Sequence, residues 1–143
     1  MNHPIAVLDI NVFVSGTTIA QSYPSQVLDL WKHGFYQLAI SELMLQRMRQ
    51  VYSYPKVVRL THMGRVDVDN FLDNIRGSAI VVPGTTNVNV CEDPEDNQLF
   101  SCALEAEANY IVSGDKKHVL AVDSYKGIKT LSPKDFIAEI LTT

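Results

Sequence analysis

Short apolar segments alternate with amphipathic segments along this chain, and this alternation restricts the possible folds more than any other feature of the sequence. The apolar segments are rich in strand-forming residues, and each is four or five residues long. They lie at residues 5–8, 36–40, 79–82, 110–113 and 128–131. Strands that alternate with helices over short connections form a parallel sheet covered by helices. We therefore expect an α/β fold, a three-layer sandwich in which helices flank a central, mostly parallel sheet of about five strands.

The segments between these strands carry signals for helix starts and helix ends. Ser41 can cap the helix that begins after it, because apolar residues then recur on one helical face. Asp93 and Ser132 are each followed by proline, a combination that predicts two further helix starts. Two more amphipathic helices are expected to end at Gly34 and Gly77.

The composition is typical of a folded globular protein. With 143 residues, of which 46% are hydrophobic and 20% charged, the chain can bury one core, so we expect a single domain over residues 1–143. No apolar stretch approaches the roughly 20 residues that span a bilayer, and no secretion signal is recognisable. We therefore expect no membrane association and a cytoplasmic location. Cys91 and Cys102 lack metal-finger spacing, and we expect both to be reduced.

The formal net charge of −4 gives the chain no general attraction to a phosphate backbone. Any contact with nucleic acid must therefore use local basic patches. The candidates are Lys56 and Arg59 with His62 and Arg65, and the run Lys116, Lys117 and His118. Solvated surface charge is the simpler interpretation of each patch.

Carboxylates stand after two of the predicted strands, at the point where each strand ends. Asp9 comes directly after the first strand, and Asp115 comes shortly after the fourth. In an open parallel sheet, ligands bind beyond the carboxyl ends of the strands, so these two side chains are candidates for a site. Asp96 is a third candidate, because helical spacing puts it in line with the buried stripe of its helix.

Three carboxylates at one sheet edge repel one another unless a cation neutralises them. For a single acid such as Asp96, capping or a helix-dipole contact remains an open alternative. Ligation by oxygen alone suits Mg²⁺ or Mn²⁺, and such sites serve phosphoryl chemistry by activating water. The sequence therefore points to a magnesium or manganese centre.

Four segments of the chain resemble motifs of a known family. The segment VLDINVFVSG at residues 7–16 resembles the opening motif of PIN domains, particularly of the VapC-like toxin branch. DPEDN at residues 93–97 and ANYIVSGDK at residues 108–116 resemble the second half of that branch, and residues 41–56 resemble its intervening helix. The order of the motifs is preserved over nearly the whole chain.

This resemblance implies a PIN-like fold and a metal-dependent endoribonuclease that hydrolyses RNA with metal-activated water. Such enzymes are commonly the toxin half of a toxin–antitoxin pair, often dimeric and inhibited by a small antitoxin protein. Asp9, Asp96 and Asp115 match the family's metal-binding aspartates and are the catalytic residues that the resemblance predicts. Asn11, Asp93 and Ser113 match supporting positions, although capping is the favoured role for Asp93.

Two positions depart from the family pattern. Ile10 stands where a threonine is usual, and Arg47 stands where the middle helix is expected to carry a glutamate. Glu42 lies five residues earlier on a different helical face and cannot simply replace that acid. We expect Arg47 either to weaken metal binding and catalysis or to contact substrate phosphate or an aspartate, with Lys116 and Lys117 as further candidates for substrate binding.

Other functions fit the sequence less well. A PIN fold with impaired catalysis, acting as a binding or regulatory protein through an antitoxin or nucleic acid, is the alternative that Arg47 favours. A haloacid-dehalogenase-like phosphatase needs a second acid two residues after the nucleophile, where this chain has Asn11. Phosphate-binding and dinucleotide-binding glycine motifs are absent from the sequence.

Overall fold

A computed structural model describes residues 3–142 of the chain. Its elements, in chain order, are β1 (Ile5–Leu8), α1 (Ile10–Thr18), α2 (Tyr23–Lys32), β2 (Gln37–Ser41), α3 (Glu42–Ser53), α4 (Pro55–Thr61), α5 (Arg65–Ser78), β3 (Ile80–Val82), α6 (Pro94–Glu105), β4 (Tyr110–Val112), a 3₁₀ turn (Leu120–Val122), β5 (Ser124–Tyr125), β6 (Ile128–Leu131) and α7 (Pro133–Leu141).

The strands form one sheet in the order β3-β2-β1-β4-β6-β5. Every neighbouring pair is parallel except β5 with β6, which is antiparallel. This arrangement confirms the predicted α/β fold with a central, mostly parallel sheet flanked by helices. Strand β5 was not predicted from the sequence, because a strand of two residues is too short to give a detectable alternation.

The strands nearest the middle of the sheet are buried on both faces, as expected when helices cover a parallel sheet. Ala6, Val7 and Leu8 of β1 are fully buried. Helix α6 packs against β1, β2 and β4, while α2 packs against α1 and α7. Both cysteines are unpaired and buried, as predicted.

Two helices were not predicted from the sequence. Helix α1 begins directly after β1, and its residues include several β-branched ones that disfavour an isolated helix. Contacts with α2 and the burial of Val12 and Phe13 stabilise α1 in the folded protein. Helix α4 uses Pro55 as its first residue, so the proline that ends α3 also starts the next helix. Among residues 3–142, no helix has both the length and the apolarity needed to cross a membrane.

Candidate metal centre

The site lies where β1 and β4 end side by side. The two strands are parallel, with Leu8 opposite Val112, so the residues that come after them emerge at the same edge of the sheet. From β1 the chain first builds β2 and β3 on one side, and it then returns to place β4 on the other side. Such a reversal of direction opens a crevice beyond the strand ends, which is the usual position of a ligand site in this class of sheet.

Asp9 joins β1 to α1 and is held in place by hydrogen bonds. Its backbone N–H donates to the Val112 carbonyl at 2.9 Å. Its carboxylate accepts from the Ser113 hydroxyl at 2.8 Å and, at the start of α1, from the Asn11 N–H at 3.4 Å. Burial raises the pKa of Asp9 above its usual range, and the charge of Asp115 adds to the rise, although the hydrogen bonds from Ser113 and Asn11 oppose it.

Ser113 links the two strand-end acids. Its fully buried hydroxyl donates to Asp9 and accepts from the Asp115 N–H at 3.0 Å. Its own N–H donates to the Leu131 carbonyl of β6. The serine therefore sets the positions of both carboxylates relative to the sheet.

Asp115 lies in a tight turn that points its carboxylate at its own loop. The carboxylate accepts from the N–H groups of Lys117 and His118, each at 3.1 Å, and lies 3.2 Å from the His118 ring nitrogen Nδ1. Partial burial alone would raise the pKa of Asp115. The hydrogen bonds from His118 and Lys117 outweigh that effect and hold the pKa below its usual range.

Asp96 lies in the first turn of α6, where the helix dipole favours a negative charge. Burial raises the pKa of Asp96, and repulsion from Asp93, Asp115 and Asp9 adds to the rise. The Asp93 carboxylate accepts from the Glu95 N–H at 2.9 Å, so Asp93 caps the helix.

Asp96, Asp115 and His118 form a possible ligand group for a cation. One ligand atom from each lies within 4.8 Å of the others. Asp9 is not part of this group of three, although its charge contributes to the raised pKa of Asp96 and the charge of Asp115 contributes to the raised pKa of Asp9. Charge repulsion contributes to the raised pKa of Asp9 and Asp96, and a bound cation would relieve this repulsion. The donor set therefore fits a divalent metal.

These side chains face a cavity of about 640 Å³, which we call the acidic cavity. Six carboxylates line it, from Asp9, Glu92, Asp93, Glu95, Asp96 and Asp115. Arg47 and His118 are its basic lining residues, and Asn11 lies at its wall. Lys116 and Lys117 are exposed in the neighbouring loop and do not line this cavity.

Arg47 projects from α3 into the acidic cavity, where it is held by three neighbours. Its Nη1 donates to the Tyr54 hydroxyl at 2.9 Å and to Gln50 Oε1 at 3.1 Å. Its Nε lies 3.1 Å from Glu95 Oε1 in an ion pair. Glu42, by contrast, forms a bidentate ion pair with Arg76 of α5 and does not enter the cavity.

Sequence reasoning missed two members of the site. His118 was placed in a basic run, yet it lies beside Asp96 and Asp115, because the turn after β4 folds back on itself. Glu95 lies within the DPEDN motif but is not a predicted site residue, although it forms an ion pair with Arg47 in the cavity. The GDKKH segment contains one signal that could have identified His118, since a histidine three residues after an acid can contact that acid within one turn.

Comparisons with known proteins agree with this architecture. A family model described as a PIN domain matches residues 6–117, a span that includes Asp9, Arg47, Asp96 and Asp115. An uncharacterized protein of Methanocaldococcus jannaschii, MJ1680, is 28% identical over 141 aligned residues, which cover 93% of this chain and 89% of that protein.

A solved structure resembles the chain in fold. It is a chain from the crystal structure of VapBC2 from Rickettsia felis bound to a DNA fragment from their promoter. The superposition has a TM-score of 0.58 at 14% sequence identity and covers 90% of this chain and 98% of that chain. At this level of identity, the likeness establishes the fold alone.

Proposed function

The chain belongs to the PIN-domain family, and from that premise we propose that it is a metal-dependent endoribonuclease, the toxin component of a toxin–antitoxin pair. PIN domains are generally nucleases, which supports a hydrolase. The observation that carries the proposal is the convergence of Asp9, Asp96 and Asp115 on one cavity at the crevice of the sheet. Three acids from distant parts of the chain have no evident structural need to meet there.

We assign metal contact to Asp9, Asp96 and Asp115, with His118 as an additional nitrogen ligand. Mg²⁺ or Mn²⁺ is the proposed ion, because carboxylate oxygens dominate the donor set. When bound, the ion supplies the Lewis acidity that lowers the pKa of a water molecule and offsets the charge of the phosphate.

The protein's own groups orient the reacting parts. The Ser113 hydroxyl fixes one oxygen of Asp9 by donating to it, which leaves the other oxygen directed by the first turn of α1. The turn after β4 fixes Asp115 in the same way. Asp93 supports Asp96 indirectly by capping the helix that carries it. Such preorganisation reduces the reorganisation needed when charge develops on the phosphate.

Arg47 supports a second candidate function, that of a PIN-fold protein with impaired catalysis that acts by binding an antitoxin or nucleic acid. A cation occupies the wall of the cavity where an acid was expected, so metal affinity falls by electrostatics. In the nuclease, the same guanidinium contacts a substrate phosphate, with Lys116 and Lys117 as more distant contacts. The nuclease is expected to cleave RNA, whereas the binding protein is expected not to.

The remaining assignments are proposals that depend on the function. The proposed partners are RNA as substrate, a small antitoxin protein and a second copy of the chain in a homodimer. The proposed location is the cytoplasm. A single domain over residues 1–143 is supported by the one sheet that takes strands from both ends of the described chain.

The test is to titrate Mn²⁺ and Mg²⁺ into antitoxin-free protein and to measure the cleavage of labelled single-stranded RNA. We expect metal-dependent cleavage that Asp9→Asn and Asp96→Asn reduce by roughly 10³-fold or more, the scale at which a catalytic constellation fails. Asp29→Asn, an exposed acid of α2 outside the acidic cavity, is the matched control and should retain activity.

Two other outcomes are informative. Cleavage that appears only in Arg47→Glu would mean that the site is intact in geometry and disabled by its arginine. If no variant cleaves RNA and none binds metal in calorimetry, the nuclease proposal is wrong and the binding protein takes its place.

A further inference from the structure

One wall of the acidic cavity is apolar and lies where α3 passes into α4. Tyr54 is the residue between the two helices, and Val51 and Val57 flank it on the same cavity wall. Tyr54 lines the acidic cavity and is 44% exposed, so part of its ring is open to a ligand. An exposed aromatic beside convergent polar groups is typical of a recognition surface.

Arg47 is fixed against this apolar wall. Its guanidinium carbon lies 5.8 Å from the centre of the Tyr54 ring, and its Nη1 donates to the ring's hydroxyl. The ion pair with Glu95 holds the other side of the guanidinium. A planar cation therefore lies over part of an aromatic ring at the wall of the acidic cavity.

The charge of the cavity limits how a nucleic acid can bind there. Six carboxylates line it, so a phosphate backbone is repelled at most points of the wall. The guanidinium of Arg47 is one positive group at which a phosphate could bind, and a bound divalent ion would be another. The rest of the binding free energy must come from a part of the ligand that is uncharged and flat, and a nucleobase has these properties.

We propose that Tyr54, with Val51 and Val57, forms a base-stacking subsite for one unpaired nucleotide, and that Arg47 contacts the phosphate of that nucleotide. The proposal rests on the proposed function, since it places the nucleotide beside the bond that is cut. A base within a duplex has both faces covered by its neighbours and cannot stack on Tyr54, so unpaired RNA is the ligand. The volume of about 640 Å³ lies within the range that accommodates a ligand of nucleotide size.

The experiment measures binding without cleavage. The 143-residue chain with Asp9→Asn, in which the proposed hydrolysis is disabled, is titrated with fluorescent single-stranded RNA and with a duplex of the same sequence at low ionic strength. Tyr54→Ala and Tyr54→Phe are added to this background. Tyr23→Ala is the matched control, because Tyr23 is 49% exposed at the start of α2 and does not line the acidic cavity.

We expect Tyr54→Ala to weaken binding of single-stranded RNA about tenfold, within the range measured for base–aromatic stacking, and to leave duplex binding unchanged. Tyr54→Phe keeps the stacking face and should stay within about threefold of the parent, as should Tyr23→Ala. Melting temperatures equal to that of the parent would exclude unfolding as the cause.

Unchanged affinity in Tyr54→Ala, or an equal loss for duplex and single strand, would overturn the subsite. Loss of binding in Tyr54→Phe to the same extent as in Tyr54→Ala would also overturn it, because the hydroxyl and its contact with Arg47 would then be responsible. These results are independent of the cleavage assay: a protein that never cuts RNA can still show the subsite, and an active nuclease can lack it.

Discussion

At the scale of single residues, Asp9 shows how a residue of the site lowers the stability of the folded protein. Because burial raises the pKa of Asp9, ionisation destabilises the metal-free folded protein relative to the unfolded chain. The stability gained by protonating Asp9 is fully present below the unfolded pKa and is lost as pH rises through the folded pKa. We therefore predict that Asp9→Asn raises the melting temperature of metal-free protein at pH 7.

The pH dependence of the same variant checks this prediction. The rise in melting temperature should shrink as pH falls into the acid range, because Asp9 of the parent then takes up a proton. Thermal melts in a chelator over a series of pH values measure this difference between parent and variant. A lower melting temperature of Asp9→Asn at pH 7 would mean that the hydrogen bonds from Ser113 and Asn11 outweigh the burial of the charge.

We predict that His118 influences which metal ion the site binds. Mg²⁺ favours oxygen ligands, whereas Mn²⁺ accepts imidazole nitrogen more readily. We predict that His118→Ala lowers Mn²⁺ affinity about tenfold and Mg²⁺ affinity less, which calorimetry with each ion would measure. His33→Ala, an exposed histidine at the end of α2, should leave both affinities unchanged. Equal losses for the two ions would show that His118 acts only by orienting Asp115.

The residues of the site were predictable to different degrees. Asp9 and Asp115 were found because residues directly after buried parallel strands lie at the ligand-binding edge of the sheet, and Asp96 was found from helical spacing. His118 and Tyr54 were not, because their positions depend on a turn and on a helix junction whose geometry no periodicity encodes. Arg47 was noticed only through the resemblance to a family.

At the scale of secondary structure elements, Gly84 controls how the loop after β3 meets the start of α3. Its φ is +82°, and a Cβ atom there would lie 2.6 Å from Ser41 Cβ. Ser41 is the N-cap of α3, whose hydroxyl accepts from the Met44 N–H. Gly84→Ala must therefore adopt a strained backbone and displace a cap.

We predict that Gly84→Ala lowers the free energy of unfolding by about 2–3 kcal/mol, from the left-handed strain and the loss of capping. Urea denaturation measures this loss. Gly77→Ala is the control, since nothing lies within 4 Å of its Cβ position and α5 is already helical there, so it should be neutral or stabilising by up to about 1 kcal/mol. Equal stability of the two variants would contradict the assigned role of Gly84.

The elements with strong sequence signals were predicted, and those that depend on tertiary packing were not. The N-cap residues of α3 and α6, Ser41 and Asp93, agree with the predicted caps. Helix α1 was missed because its β-branched residues favour a strand locally, and burial against α2 reverses that preference.

At the scale of the whole molecule, the C-terminal helix completes the core. Phe136 of α7 is fully buried, and its ring meets Tyr36 and Tyr110 at centroid distances of 4.9 and 5.6 Å. We predict that Phe136→Ala lowers the free energy of unfolding by about 3–5 kcal/mol. Leu141→Ala, at a residue that is 57% exposed in the same helix, should change it by less than about 0.5 kcal/mol. Chemical denaturation of both variants would show whether α7 is integral to the fold or a detachable appendage.

The contact between Ser113 and β6 has a consequence for the time at which the site forms during synthesis. Asp9 precedes its hydrogen-bond partner Ser113 by 104 residues, and Ser113 is in turn supported by Leu131 of β6. A growing polypeptide therefore carries Asp9 without the partners that orient it until residues 113–131 have been made. In the proposed nuclease, this order of assembly would delay cutting of RNA until β6 has been made.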